Sequence, residues 1–526
     1  MRNHLKTWSL FDSKFFHILF FTLSAFLLTA CGGNEVLSEE NRISIESNLS
    51  SSDRITQSYK VSDPLYKQQW YLHQQSGINV SSVWKEYQGD GISIAVVDSG
   101  IEALHPDLAE NIDLTHSFRY SDGSSDPTPT ADELSDPFVD APHGTAVAGI
   151  IAASQNDIGI SGVAPKANLI GLNVFSRPDD SAFEDAMLYP NVDVSSNSWG
   201  ADLSFGLDDD FIVLDAIVFK MLTHPIIYTF AAGNEASNSE FSSILNSRYT
   251  LVIGATTEEK KVAPYSNHGA NILCVAPGGD EEKNSPKIVT TDLIGTVHGY
   301  DIQGDHFDIF ENIGYDYTDN FNGTSAAVPM VSGIIALMLE ANSELNYRDI
   351  KYILAHSSKK IDENHTSWIE NSADLWVSRY YGFGLVDAEK AVKLAKNFQT
   401  LPKEVTVQKS LKDLNISIED NNEKGVSILL DIDDNLIVEY AELEISTDHP
   451  YSGDLKITLT SPSGTKSILT DGGTITEDLY NPWTFGAVGF MDEQSSGKWM
   501  LHICDISEND KGILSSVKLI LYGHKK

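Results

Sequence analysis

Near position 325 the chain reads FNGTSAAVPMVSGIIALMLEA, and this run limits the fold more than any other. Gly323, Thr324, Ala326 and Ala327 carry little bulk, Pro329 fits a first helical turn, and apolar residues continue from Val331 to Leu339. The pattern predicts a buried helix whose first residue is Ser325. A serine there has two readings. It can cap the helix, or it can be a nucleophile, because the free N–H groups of a helix N-terminus stabilise an oxyanion. The run by itself does not choose between them.

The 526 residues allow two or three domains, and 41% hydrophobic residues suffice for a substantial core. A formal net charge of −39 argues against nucleic acid as a partner, since a phosphate backbone calls for Lys and Arg. Such acidity suits solubility in an extracellular or salty setting, or attraction for cations, either calcium or a basic substrate. Cys31, Cys274 and Cys504 lie too far apart to indicate a disulfide framework. Cys274 and Cys504 read as residues of apolar strands.

Arg2, Lys6 and Lys14 precede the apolar run FFHILFFTLSAFLLTA, which is too short and wrongly flanked for an ordinary membrane-spanning helix. It ends in Leu28, Thr29, Ala30 and Cys31, which resemble the bacterial lipobox. The resemblance implies a lipoprotein signal peptide over residues 1–30, export, and lipidation of Cys31 as a membrane anchor. Gly32 after the cysteine points to the outer membrane, periplasmic or surface-facing. The alternative is a plain secretory peptide cut after Ala30. Residues 31–60 are rich in Ser, Glu and Asn and read as a flexible tether.

From position 61 to 399, apolar strands such as ISIAVV and PIIYTFAA alternate with helical stretches such as HGTAVAGIIAAS. This α/β alternation predicts a mostly parallel sheet with helices on both faces. From 400 to 526 short alternating strands and polar turns predict a C-terminal all-β sandwich.

Three segments bear on the serine. ISIAVVDSGI places Asp98 at the end of a strand, DAPHGTAVAG places His143 at the start of a helix, and IIYTFAAGNE ends a strand at Gly233-Asn234. In open α/β sheets the working crevice lies at the carboxyl ends of the strands, where all four residues fall. The set suits acyl transfer. His143 is the base suited to a serine near neutral pH, and Asp98 would hold its tautomer and stabilise imidazolium. Asn234, with the backbone N–H of Ser325, would donate to the oxyanion, each such donor being worth about 2.7–4 kcal/mol.

VVDSGI, HGTAVAG, AAGN and NGTSAAVP, in this order, resemble the subtilisin-like serine peptidases. DPLYKQQWYL, IVTTDL and YGFGLVDA resemble the kexin/furin branch, while SGDLKITLTSPSGT and SGKWMLHICD resemble its C-terminal P domain, a jelly-roll-like sandwich. The resemblance implies polypeptide substrates paired by backbone hydrogen bonds along Ser198, Trp199 and Gly200. It also implies a calcium site with side-chain ligands Asp63, Asp107 and Asn156 and carbonyl ligands near Ala153, Ile158 and Ile160. Asp122, Asp126 and Asp132 match a second site only in part.

Where that branch has acids for a basic P1 residue, this chain has Leu203 and Ser242; Asn267 replaces a glutamate, and Ser99 replaces an acid after Asp98. These departures count against strict cleavage after Arg or Lys. Asp140 alone still suggests a subsite for a basic residue, S2. The tether is also too short to fold as a chaperone domain, so a separate folding partner is expected if the chain does not fold unaided. The competing reading is a lipid-anchored pseudopeptidase acting through its P domain, against which the intact Asp98, His143, Asn234 and Ser325 count. An α/β-hydrolase esterase is excluded by the missing G-x-S-x-G elbow and the wrong residue order.

Overall fold

The computed structural model describes residues 59–280, 285–301, 315–473 and 480–526. Its centre is a sheet of seven parallel strands, β1 (Ser93–Asp98), β2 (Phe118–Arg119), β3 (Asn168–Asn173), β4 (Val194–Asn197), β5 (Ile227–Ala231), β6 (Thr250–Thr256) and β7 (Ile272–Pro277), in the order β2-β3-β1-β4-β5-β6-β7. Buried on both faces, these strands read as continuous apolar runs, as parallel sheets do. Ile94 and Val96 of β1 join one apolar cluster and Ala95 and Val97 the other. The expected α/β layering is present.

Helices α1 (His143–Ala152), α4 (Thr324–Ala341) and α6 (Ala388–Ala395) belong to the first cluster, and α2 (Asp180–Met187) and α3 (Phe211–Thr223) to the second. Helix α5 (Tyr347–Ser357) begins with a capping box between Asn346 and Asp349. Helix α4 is long and apolar enough to span a membrane, yet it is buried in the core. Its one polar interior residue is pinned to the sheet. Ser332 Oγ lies 3.0 Å from Ser196 Oγ and 2.8 Å from Thr229 Oγ1, and donates to the Val328 carbonyl at 3.1 Å. Strands β8 (Ile288–Thr291) and β9 (Tyr317–Phe321) form a separate antiparallel pair. Thr290 and Thr291 donate their hydroxyls to the carbonyls of Ala146 and Thr145, strapping β8 along α1.

Residues 405–524 form two antiparallel sheets. One joins 405–411, 512–524, 437–447 and 483–487, with 416–418 also on 512–524; the other joins 426–432, 497–505, 455–460 and 466–471. This is the expected sandwich, and Trp499 is wholly buried in it. The second apolar cluster runs without a break from α2 and α3 into the sandwich. Residues 59–525 accordingly belong to one compact unit. The expected signal peptide, Cys31 and all but the last two residues of the expected tether lie outside the described residues.

Trp483 is buried at this junction and donates its indole N–H to the Glu240 carbonyl at 3.0 Å. Trp483→Ala should lower the unfolding free energy by about 3–5 kcal/mol. Because the core is shared, both halves should still melt together, by far-ultraviolet circular dichroism and by tryptophan fluorescence. Two separated transitions would contradict a shared core.

Candidate active site

Asp98 ends β1 and is buried. His143 Nδ1 stands 2.8 Å from its Oδ1 and 3.0 Å from its Oδ2, and the Ser99 N–H donates to Oδ1 at 2.7 Å. His143 opens α1, directly followed by Gly144. A Cβ on Gly144 would lie 2.1 Å from the Gly100 carbonyl oxygen, so only glycine lets the helix start this close to the end of β1. Burial opposes charge on the imidazole, but the Asp98 charge and hydrogen bond, with a smaller contribution from Asp140, outweigh it and raise the pKa to about 8. Phe321 stands edge-on to the imidazole, with ring centroids 5.4 Å apart.

Ser325 is the second residue of α4, not the first. Gly323 is the N-cap, at φ +102°, and the Thr324 N–H and hydroxyl both donate to Asn234 Oδ1, at 2.8 and 2.9 Å. The capping role open to Ser325 is thus filled by others. Its hydroxyl donates to the Ser198 carbonyl at 3.1 Å, and the Ser198 hydroxyl donates to the Ser325 carbonyl at 3.1 Å. With Oδ1 held by Thr324, the Asn234 Nδ2 group is the end that can donate into the adjoining cavity.

That cavity has a volume of about 390 Å³ and opens beside Ser325. Ser198, Trp199 and Gly200 line one wall, and residues 230–235 line the other. The Trp199 ring packs on Phe183 and Phe230, at 4.8 and 5.5 Å, so Trp199 is both a core residue and a wall residue. Leu203 and Ser242 do line the cavity, as their sequence positions imply. Three acids line it too that sequence reasoning missed, Asp208, Asp210 and Glu235. The Asp208 N–H donates to the Phe241 carbonyl at 2.7 Å and the Ser243 N–H to the Asp208 carbonyl at 2.9 Å. This bridge sets the Asp208 carboxylate 3.4 Å from the Ser242 hydroxyl, which donates to it. Burial, then Asp210 and Asp209, push the Asp208 carboxyl above its usual range, against the Ser242 bond. Asp210 also caps α3 through the Val213 N–H at 3.0 Å.

Asn267 braces the far wall. Its Oδ1 accepts from the N–H groups of Glu235 and Ser237, at 3.1 and 2.7 Å, and its Nδ2 donates to Glu235 Oε2 at 2.6 Å. Asp140 is exposed three residues before His143 and accepts the Tyr300 hydroxyl at 2.7 Å.

The sequence-named calcium residues converge on the loop 155–162. Asp63 Oδ1 accepts the N–H groups of Asn156 and Asp157, at 3.1 and 3.0 Å, and its other oxygen takes the Ser161 hydroxyl. Asp107 Oδ2 accepts the Ile160 N–H at 2.9 Å, while its Oδ1 is buried without a hydrogen-bond partner. Burial raises the Asp107 carboxyl to about 6, and Asp63 adds repulsion. Two of the expected ligands are engaged within the protein: Asn156 Oδ1 accepts the Ile158 N–H at 3.1 Å, and the Ala153 carbonyl accepts the Gly162 N–H at 2.9 Å. Among the described residues no three His, Cys, Asp or Glu side chains gather as a metal cage. The orphaned Asp107 oxygen, with the Asp63 carboxylate close enough to repel it, fits a calcium ion. Asp122, which matches a second such site only in part, pairs with Arg119 at 2.8 Å.

Residues 89–384 match the subtilase family, and residues 438–521 match the proprotein convertase P-domain. Human furin is 32% identical over 485 residues, 88% of this chain and 58% of furin, so the chain spans less than two thirds of that relative. The extracellular serine protease of Aeromonas sobria is 31% identical over 545 residues, 86% of this chain and 85% of that protein. Among solved structures, a serine protease of Aeromonas sobria superposes with a TM-score of 0.81 at 28% identity, covering 90% of this chain and 97% of that one. The same protease in complex with a chaperone gives 0.82 at 28% identity, covering 91% and 97%. By its matched domains and by the fold that carries them, the chain belongs to the subtilase family of serine peptidases and has a C-terminal P domain.

Proposed function

We propose that the chain is a serine endopeptidase with Asp98, His143 and Ser325 as its catalytic triad. The observation that carries this reading is the Asp98–His143 hydrogen bond at 2.8 Å in a fold whose cavity is lined by both Ser325 and Asn234. In the resting state the Ser325 hydroxyl rests on the Ser198 carbonyl. On substrate binding it turns to His143 Nε2, gives up its proton and attacks the scissile carbonyl. Asp98 holds the imidazole by its Nδ1–H, and the proton then passes from Nε2 to the leaving amine. Asn234 Nδ2 and the Ser325 N–H receive the oxyanion. Ser198, Trp199 and Gly200 pair with the substrate backbone.

Asp208, with Asp210 and Glu235 near it, supplies the charge that Leu203 and Ser242 do not. A P1 Arg or Lys entering the cavity would meet these carboxylates, and Ser242 would orient Asp208 toward it. The chain thus reads as a processing enzyme for basic residues with its S1 acid moved along the chain. Cleavage-site profiling of a diverse peptide mixture, with Ser325→Ala as the blank, tests both claims. Cuts should depend on Ser325 and fall after Arg or Lys. Asp208→Asn should lower kcat/KM on Arg peptides roughly 10- to 100-fold, about 1.5–3 kcal/mol. Since the base must be neutral, and its pKa is raised above the ordinary 6.5, the acid limb of kcat/KM should lie near pH 8. Asp98→Asn should move that limb down. Ser325-dependent cuts after neutral residues would refute the S1 reading alone.

Asp63 and Asp107 would hold a calcium ion, clamping the loop 155–162 to the N-terminal segment. The Aeromonas protease is seen with a chaperone, and a separate folding partner is proposed for this chain too. One refolding experiment bears on both. At a calcium concentration 100 times Kd, chelation should cost about 2.7 kcal/mol of stability, and Asp107→Asn should abolish the difference. Denatured protein returned to calcium alone should recover little fluorophosphonate labelling of Ser325; full recovery would remove the need for a partner.

Lipidation of Cys31, with export and anchoring to the outer membrane, is proposed on the lipobox resemblance. Cys31→Ser should release the chain from the membrane fraction in a bacterial host. Membrane retention by that variant would refute the anchor.

A further inference from the structure

The segment 292–301 leaves β8 and closes on itself. One carboxylate clasps both of its ends, because Asp292 Oδ1 accepts the Leu293 N–H at 2.8 Å and Asp292 Oδ2 accepts the Asp301 N–H at 2.9 Å. Gly299 packs so near that a Cβ would meet this carboxylate at 2.3 Å. Tyr300 lies between these two fixed residues. Its ring packs on Phe321, with centroids 5.8 Å apart, and Phe321 in turn packs on His143 at 5.4 Å. Its hydroxyl reaches Asp140 Oδ2 at 2.7 Å. The Asp140 carbonyl accepts the His143 N–H at 3.1 Å, so this carboxylate belongs to the same turn as the imidazole.

We propose that Tyr300 is a positioning residue: its hydroxyl fixes the Asp140 carboxylate so that the second oxygen faces the P2 side chain of a bound peptide and selects Lys or Arg there. The inference rests on the endopeptidase reading and on the S2 place that the family resemblance gives Asp140, and adds to them a residue from a different segment. The chemistry of the donor matters. An exposed Asp rotates freely, and an Arg or Lys partner would fix it but cancel its charge. A phenol fixes it and leaves the full negative charge for a substrate cation. Burial, then the neighbouring Asp140, Asp98 and Asp292 carboxylates, push the phenol's ionisation well above its usual range, so it remains a donor. Phe321 gives the ring a rigid seat, which a flexible side chain at position 300 would lack.

Two peptides that share an Arg at P1 and differ only in Lys or norleucine at P2 test the assignment on the full chain. Tyr300→Phe keeps the ring and its packing and removes only the hydroxyl. It should lower the Lys-to-norleucine ratio of kcat/KM about three- to tenfold, the worth of one hydrogen bond, through KM and not kcat. Asp140→Asn should abolish the preference, and Tyr300→Phe added to Asp140→Asn should change the ratio no further. An unchanged ratio in Tyr300→Phe would overturn the proposal. So would an equal loss on both peptides, which marks a loop support, or additive effects in the double variant. Fluorophosphonate labelling of Ser325 separates the two levels: wild-type protein that neither labels nor cuts overturns the endopeptidase reading and this inference with it, while normal labelling with an unchanged ratio overturns this inference alone.

Discussion

The paired hydrogen bonds between Ser198 and Ser325 join the end of β4 to the first turn of α4, and the site depends on that junction. They fix where a long buried helix meets the crevice at the carboxyl ends of the strands. Two further contacts hold the helix in register. Ser332 is tied to Ser196 and Thr229 two turns further on, and Asn234 receives Thr324 at the helix start. A shift of one residue along α4 would break all of these and turn Ser325 away from the cavity. The helix packs tightly for the same reason, since a Cβ on Gly333 would stand 2.7 Å from the Val163 Cβ. The place of Ser325 is therefore set by core packing and a few polar ties, and little is left to local loop structure.

Electrostatics add a second constraint. The chain carries 75 acidic residues against 36 Lys and Arg, too few cations to neutralise every carboxylate. Among the described residues, Asp208, Asp210 and Glu235 at the cavity and Asp63 and Asp107 at the loop 155–162 form no ion pair with Lys, Arg or His. Asp208 and Asp107 are both pushed upward by burial first and by neighbouring carboxylates second. An arrangement that repels itself when empty is relieved by a bound cation. The physical form of the two sites is the same, although one would hold a metal ion and the other a side chain of the substrate. Buried carboxylates of this kind tend to mark functional sites.

Much of this was legible in the sequence because the informative residues sit at the ends of regular elements. Asp98 closes an apolar strand, His143 opens a helix with small residues behind it, and both positions follow from local pattern. The α/β layering and the sandwich followed from periodicity. The pattern starts the helix at Ser325, one residue late, because Thr324 joins the helix when Asn234, far away in sequence, takes its N–H. Asp208 was missed for a related reason. The bridge that brings it into the cavity pairs it with residues 241–243, a contact no local signal announces. The same holds for Tyr300, whose partner lies 160 positions away. The resemblance names Asn156 and Ala153 as calcium ligands, and their local hydrogen bonds, Asn156 Oδ1 from the Ile158 N–H and the Ala153 carbonyl from the Gly162 N–H, come from the loop's own turns, which spacing alone does not announce.

The C-terminal sandwich bears on the cavity more directly than a stabilising appendage would. Segment 238–246 supplies Ser242, Ile244 and Leu245 to the cavity wall, and it is tied both to His268 and Asn271 of the α/β layer and to the sandwich. Trp483 donates to the Glu240 carbonyl, the Gly486 N–H donates to Glu240 Oε2 at 3.0 Å, and Asn238 Nδ2 donates to the Leu469 carbonyl at 2.9 Å. Asn246 is held twice, donating to the Thr484 carbonyl at 2.8 Å and accepting the Tyr440 hydroxyl at 3.1 Å. The Ser242 hydroxyl that orients Asp208 therefore stands on a strip of backbone that the α/β layer alone does not fix. A displacement of a fraction of an ångström in that strip would loosen the 3.4 Å contact to Asp208 before it disturbed the Asp98–His143 pair, which is anchored in β1 and α1. The two halves of the chain thus share the site: the parallel sheet and α1 carry Asp98 and His143, and the sandwich helps to hold the strip that supplies Ser242, Ile244 and Leu245 to the cavity wall.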